Sequence, residues 1–130
     1  MEKRQYQRVE TDLGCIFYVE SEEHQSDYNG QIKDISENGV AIKISNEKDI
    51  ENLNKIEPGT VIKFQTFDNY SLFGIERREV VSASAIVVRK VVRDEMLLFG
   101  LWIQHPDRRF EKYIEDKKVC EFVNNGCNIV

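Results

Sequence analysis

A chain of 130 residues is long enough to enclose one hydrophobic core and too short for two. With 41% hydrophobic and 32% charged residues, it has the composition of an ordinary folded domain rather than a disordered segment. A net charge of −5 disfavours a protein that coats DNA or RNA by neutralising phosphates, but not one that holds a small anion with a local cluster of cations.

No apolar run is long enough to span a bilayer, and the charged N-terminus is not followed by a hydrophobic stretch. A cytoplasmic protein without membrane insertion is therefore expected. Three cysteines, Cys15, Cys120 and Cys127, form no Cys-x-x-Cys pair, and only His24 and His105 accompany them. That pattern supports neither a metal site nor a disulfide framework. Cys15 reads as a small core residue. No carboxylate pair, Ser/His/Asp arrangement or phosphate-loop spacing is evident, so no enzyme is expected.

In chain order, the first strand is expected over Val9 to Val19, where Leu13 to Val19 is rich in β-branched and aromatic residues. Glu20 to Asn29 reads as a polar connection. Gln31 to Ile35 and Val40 to Ile44 read as paired short strands, with alternation clearest at Val40, Ile42 and Ile44. Between them, Ser36-Glu37-Asn38-Gly39 has the chemistry of a hairpin turn, since Asn and Gly tolerate positive φ. Such a turn would aim Asp34 and Ser36 outward.

Ile50, Leu53 and Ile56 recur every three residues among charges, which predicts a short helix near 47–56 ended by Pro58-Gly59. A strand follows over Val61 to Phe67. Asp68 to Ser71 reads as turn-prone, and Glu76 to Glu79 as a charged stretch. Val80 to Val92 and Met96 to Ile103 read as a long antiparallel hairpin around Arg93-Asp94-Glu95. After Pro106, Asp107 is expected to cap a helix with Phe110, Tyr113 and Ile114 on one face. Val119, Phe122 and Val123 fall on the opposite face, so either the helix breaks near Lys117-Lys118 or its last turns pack against something else. That irregular patch leaves room for a dimer contact. Many strands with few helices favour a mainly β fold, a small antiparallel β-barrel of six or so strands.

Two short motifs carry the functional reading. Arg4-Gln5-Tyr6-Gln7-Arg8 supplies two planar guanidinium forks suited to phosphate oxygens or the O6/N7 edge of guanine. Asp34-Ile35-Ser36-Glu37-Asn38-Gly39 supplies a carboxylate whose paired acceptors match the N1–H and N2 amino donors of guanine. Taken separately, each has a plainer explanation. Arg4 and Arg8 suit a solvated tail, and Asp34, Ser36 and Gly39 suit simple turn formers.

In order, spacing and strand context, the two motifs resemble the signature of PilZ domains, bacterial receptors for cyclic di-GMP. The resemblance covers most of the chain and implies a β-barrel domain over residues 10–130 preceded by a ligand-binding arm over residues 1–9. It further implies that Arg4 and Arg8 clamp phosphates and guanine edges, that Asp34 and Ser36 read the base, and that Gly39 permits the turn. Lys3 adds a further cation, and residues flanking the first arginine bear on whether one ligand or a stacked pair binds. Trp102 and His105 are further candidates to line the site, with core or helix-packing roles as the alternative. The function implied is a receptor and adaptor that reports cyclic di-GMP to a downstream protein partner, not to DNA or RNA. The alternative is a PilZ-like interaction module with weak or no nucleotide binding, and a small barrel that binds single-stranded RNA fits the acidic composition poorly.

Arg8→Ala is expected to weaken cyclic di-GMP binding by about 1.5–3 kcal/mol, the range for a hydrogen bond to a charged group. Asp34→Ala should lose discrimination of guanine over adenine. Titration calorimetry on both variants checks this, and wild-type affinity in both would remove the site assignment.

Overall fold

A computed structural model describes residues 9–22 and 26–124. Six strands and two helices follow in the order β1 (Val9–Val19), β2 (Tyr28–Ile35), β3 (Gly39–Ile44), α1 (Glu47–Leu53), β4 (Val61–Leu72), β5 (Ile75–Arg93), β6 (Met96–Ile103) and α2 (Arg108–Asn124). The strands form a closed barrel in the order β1-β2-β3-β6-β5-β4, every pairing antiparallel. Each strand pairs with two neighbours around the ring and has an inner and an outer row of side chains, and the β4-β5 hairpin runs on past the strands that flank it.

The inner rows meet in one core. Phe17 and Val19 from β1, Ile32 and Ile35 from β2, Ile42 and Ile44 from β3, Ile62 and Phe64 from β4 and Leu97, Phe99 and Ile103 from β6 are all buried in it. Cys15 belongs to the same cluster, and burial pushes its thiol up to about 11. A thiol held neutral at that level is a poor nucleophile. Phe17 stacks on Tyr28 with ring centroids 5.5 Å apart.

The expected helix near 47–56 forms over Glu47–Leu53 only. Asn46 caps it by accepting the Asp49 N–H at 3.0 Å, and Glu47 and Asp49 complement the positive end of its dipole. It stops at Asn54, ahead of Pro58-Gly59, although Ile56 beyond its end is still buried. Gly59 takes a φ of +99°, and its N–H donates to the Val87 carbonyl at 2.8 Å, tying the turn to β5.

The larger departure is at Asp68 to Ser71, expected as a turn and found within the second half of a strand. β4 continues to Leu72 in register with β5, and the reversal comes at Phe73-Gly74, whose φ values are 51° and 80°. Tertiary contacts override the local turn chemistry. Asp68 and Tyr70 face inward beneath α2, where the Tyr113 hydroxyl donates to Asp68 Oδ2 at 2.8 Å and the Tyr70 hydroxyl donates to Asp116 Oδ2 at 3.0 Å. The Lys117 ammonium completes the cluster 3.0 Å from Asp68 Oδ2. Burial, reinforced by the neighbouring carboxylates, raises both phenols above their ordinary range.

Asp107 caps α2 as expected, accepting the Phe110 N–H at 2.7 Å, and Phe110, Tyr113 and Ile114 are buried. The helix does not break at Lys117-Lys118. Its second half packs polar side chains against the end of the β4-β5 hairpin and the β2-β3 turn, which is why the apolar face ends where it does. No described helix is long and apolar enough to cross a membrane.

Two glycines test the packing in opposite senses. A Cβ on Gly30 would lie 2.7 Å from Ile42 Cγ2 and 3.2 Å from both the Lys43 carbonyl and the Phe17 ring, whereas one on Gly14 would meet nothing within 4 Å. Gly30→Ala is expected to cost about 1–3 kcal/mol by overpacking, and Gly14→Ala to stay within about 0.5 kcal/mol of wild type. Urea unfolding of the two variants checks the difference.

Candidate ligand-binding face

Strand alternation alone would place Ile32 and Ile35 on opposite faces, yet both are fully buried. A bulge in the β2-β3 ladder between Ile32 and Asp34 resolves the conflict. It inserts Lys33 as an extra residue, so that Lys33 and Asp34 both lie between two inward isoleucines and turn to the outside. Asp34 stands there half-buried, opposite Ala41 of β3 and Glu10 of β1.

The chain then reverses through Ser36-Glu37-Asn38-Gly39. The Ser36 N–H donates to the Gly39 carbonyl at 2.8 Å, and the Ile103 N–H donates to the Asn38 carbonyl at 2.9 Å, anchoring the turn to the end of β6. Two expectations for this turn are corrected. Among the described residues positive φ occurs at Gly59, Phe73, Gly74, Asp94 and Glu95, and neither Asn38 nor Gly39 adopts it. Ser36 does not point outward either, being only 2% exposed. Its hydroxyl lies 3.3 Å from Asn38 Oδ1 and 3.4 Å from the Gly39 carbonyl, both long for O–H donors.

Gly39 therefore has a different physical rationale. A Cβ there would meet Ser36 Oγ at 3.4 Å and the Leu101 carbonyl at 3.5 Å, ordinary contacts that the fold accommodates. Gly39 pairs with Trp102 of β6, and paired residues share a face, so its missing side chain leaves bare backbone beside the indole. Trp102 is 45% exposed on the outside of the barrel, which rules out the core role considered for it. His105 is exposed beyond the end of β6.

An outer row runs from Asp34 through Ala41 and Gly100 to Arg89 of β5, next to the row of Gly39, Trp102 and Ile86. The structure thus brings Asp34, Ser36, Gly39 and Trp102 to one side of the barrel. Lys3, Arg4 and Arg8 lie outside the described residues.

Lys118 went unread in the sequence. Its ammonium lies 2.6 Å from Glu37 Oε1 and ties the turn to α2, while the buried Glu37 Oε2 has no hydrogen-bond partner among the described residues. No local pattern links residues so far apart; only the packing of α2 does.

A family model for the PilZ domain matches residues 2–117. The chain belongs to the PilZ domain family. No curated protein matches it significantly. Among solved structures this PilZ domain is similar to the inhibitor of motility MotI/DgrA of Bacillus subtilis, with 16% identity and a TM-score of 0.71 over 97% of this chain and 54% of that one. It is similar to the PilZ domain of YcgR from Escherichia coli, solved with c-di-GMP, at 14% identity and a TM-score of 0.62 over 99% of this chain and all of that one. MrkH of K. pneumonia aligns at 19% identity with a TM-score of 0.63, over 96% of this chain and 54% of that one. The chain spans about half the length of MotI/DgrA and of MrkH. At these identities the likeness establishes the fold.

Because its hydroxyl makes only long contacts within the turn, Ser36→Ala is expected to lower stability by no more than about 1 kcal/mol. Urea unfolding measures it. A larger loss would make Ser36 a structural rather than a ligand-reading residue.

Proposed function

We propose that this PilZ domain is a cyclic di-GMP receptor and adaptor, with Asp34, Ser36 and Gly39 contributing from the barrel and Arg4 and Arg8 from the N-terminal arm. The observation that carries the reading is the convergence of Asp34, the bare backbone at Gly39 and the exposed Trp102 on one outer face, in a chain whose family motif includes the first two. The YcgR PilZ domain solved with c-di-GMP is consistent with it.

The division of labour follows from chemistry. Asp34 offers two acceptor oxygens to the N1–H and N2 amino group of one guanine, a pairing adenine cannot make. Gly39 lets a base approach the backbone without a side chain in the way. Trp102 offers an exposed indole on which a base stacks, with Lys3 adding positive potential from the arm. Two guanidinium groups neutralise a ligand whose two phosphates each carry a negative charge. A chain of net charge −5 needs those cations gathered locally.

The arm over residues 1–9 is the switch in this reading. Bound ligand gives Arg4 and Arg8 charged partners, folds the arm over the outer face and alters the surface offered to a downstream protein. The role is that of a non-catalytic cytoplasmic receptor, and its partner is a protein rather than nucleic acid. Equal amide-exchange protection of the arm with and without saturating ligand would remove the switch while leaving the binding site in place.

Trp102 is the sole tryptophan, so its fluorescence reports the site directly. Titration with cyclic di-GMP is expected to change the emission, and GMP or cyclic di-AMP at the same concentration to leave it largely unchanged. Trp102→Ala should weaken calorimetric binding by about 1–3 kcal/mol, the worth of one stacked base. No response to cyclic di-GMP at millimolar concentration would end the receptor reading in favour of a plain interaction module.

A further inference from the structure

The outer row that begins at Asp34 ends at Arg89, and the same device produces both ends. A second bulge, in the β5-β6 ladder between Val87 and Arg89, inserts Val88 and turns Val88 and Arg89 outward together, as the first bulge does for Lys33 and Asp34. Bulges that re-aim side chains are concentrated beside binding sites. Here two of them, on strands three places apart in the ring, aim a carboxylate and a guanidinium along one row.

The residues between them are small, Ala41 being only 4% exposed and Gly100 partly exposed. The Arg89 side chain lies over Gly100: a Cβ built there would be 3.4 Å from Arg89 Cβ and 3.6 Å from Arg89 Nε. Arg89 therefore leans along the sheet over Gly100. Among the described residues it forms no ion pair or side-chain hydrogen bond, although the chain has an excess of acidic groups. Three interstrand spacings separate the two ends of the row, roughly 14 Å between backbones, and the length of the arginine shortens the gap.

We infer that Arg89 is a specificity residue that reads the second guanine of the cyclic dinucleotide, donating two parallel N–H bonds to its O6 and N7. The inference rests on the receptor reading above and extends it to the far half of the ligand. With one guanine on Asp34, the phosphate ring crosses the low ground of Ala41 and Gly100, and the other base reaches β5. An arginine fork matches O6 and N7 of guanine, whereas adenine presents an amino group in place of O6. Asp34 and Arg89 thus select the same base through different edges.

The experiment compares cyclic di-GMP with 3′,3′-cyclic GMP-AMP, which keeps both phosphates and one guanine, by calorimetry on wild type, Arg89→Ala and Arg89→Lys. Wild type is expected to prefer cyclic di-GMP by at least about tenfold, the lower part of the range for one bidentate base contact. Arg89→Ala should erase most of that preference by weakening cyclic di-GMP alone, and Arg89→Lys should restore only part of it. Since Arg89 is exposed, urea unfolding should show unchanged stability in both variants. Equal weakening for the two nucleotides would assign Arg89 to a phosphate and overturn the inference, as would unchanged binding of both. Failure of wild type to bind cyclic di-GMP at all would instead sink the receptor reading itself.

Discussion

Closure of the sheet is the constraint on which the rest of this structure depends. Once six strands form a ring, every strand must deliver alternate residues to a single core, and any residue out of step with that alternation has to be absorbed by a bulge or expelled. In β2 the buried pair Ile32 and Ile35 is out of step, and the bulge at Lys33 reconciles them by turning Asp34 to the outside. In β5 the bulge at Val88 does the same for Arg89. The candidate binding face is thus a consequence of how the core is filled, and its rigidity comes from the ladders on either side of each bulge.

The second organising element is α2. Its first half closes the core with Phe110, Tyr113 and Ile114, and its second half carries a polar cluster around Asp68, where Tyr113 and Lys117 satisfy a buried carboxylate. A buried charge with both a hydroxyl and an ammonium partner fixes geometry more than it adds stability, because desolvation offsets much of the attraction. The cation of Lys117 also lies 5.4 Å from the Tyr70 ring centroid. One residue further along, Lys118 grips Glu37 in the motif turn. The motif turn and the C-terminal helix are consequently in direct contact.

The glycine of the motif illustrates why residue identity and residue purpose differ. Gly39 occupies a conformation open to any residue, and the space around it admits a methyl group. What it supplies is an absence, a flat patch of backbone next to Trp102. The positions that do require a left-handed backbone lie elsewhere, at Gly59 and in the Phe73-Gly74 and Asp94-Glu95 reversals. At Phe73 this puts a bulky residue in a sparsely populated region with 79% of its surface exposed, at the tip of the longest hairpin.

By itself the sequence determined the antiparallel class, the limits of β6, the capped start of α2 and the identity of the motif residues, because each is written in local alternation, capping chemistry or a short ordered pattern. Local chemistry misled at Asp68 to Ser71, where side chains that favour a turn in isolation gain partners on a helix more than forty residues away, as Tyr70 does with Asp116. It was silent on the bulges, since an inserted residue leaves no mark until the two neighbouring strands fix which isoleucines must point inward. Only the tertiary structure decided that Asp34, Gly39, Trp102 and Arg89 share one face, because a face is a property of strand register, and register is set by the core as a whole.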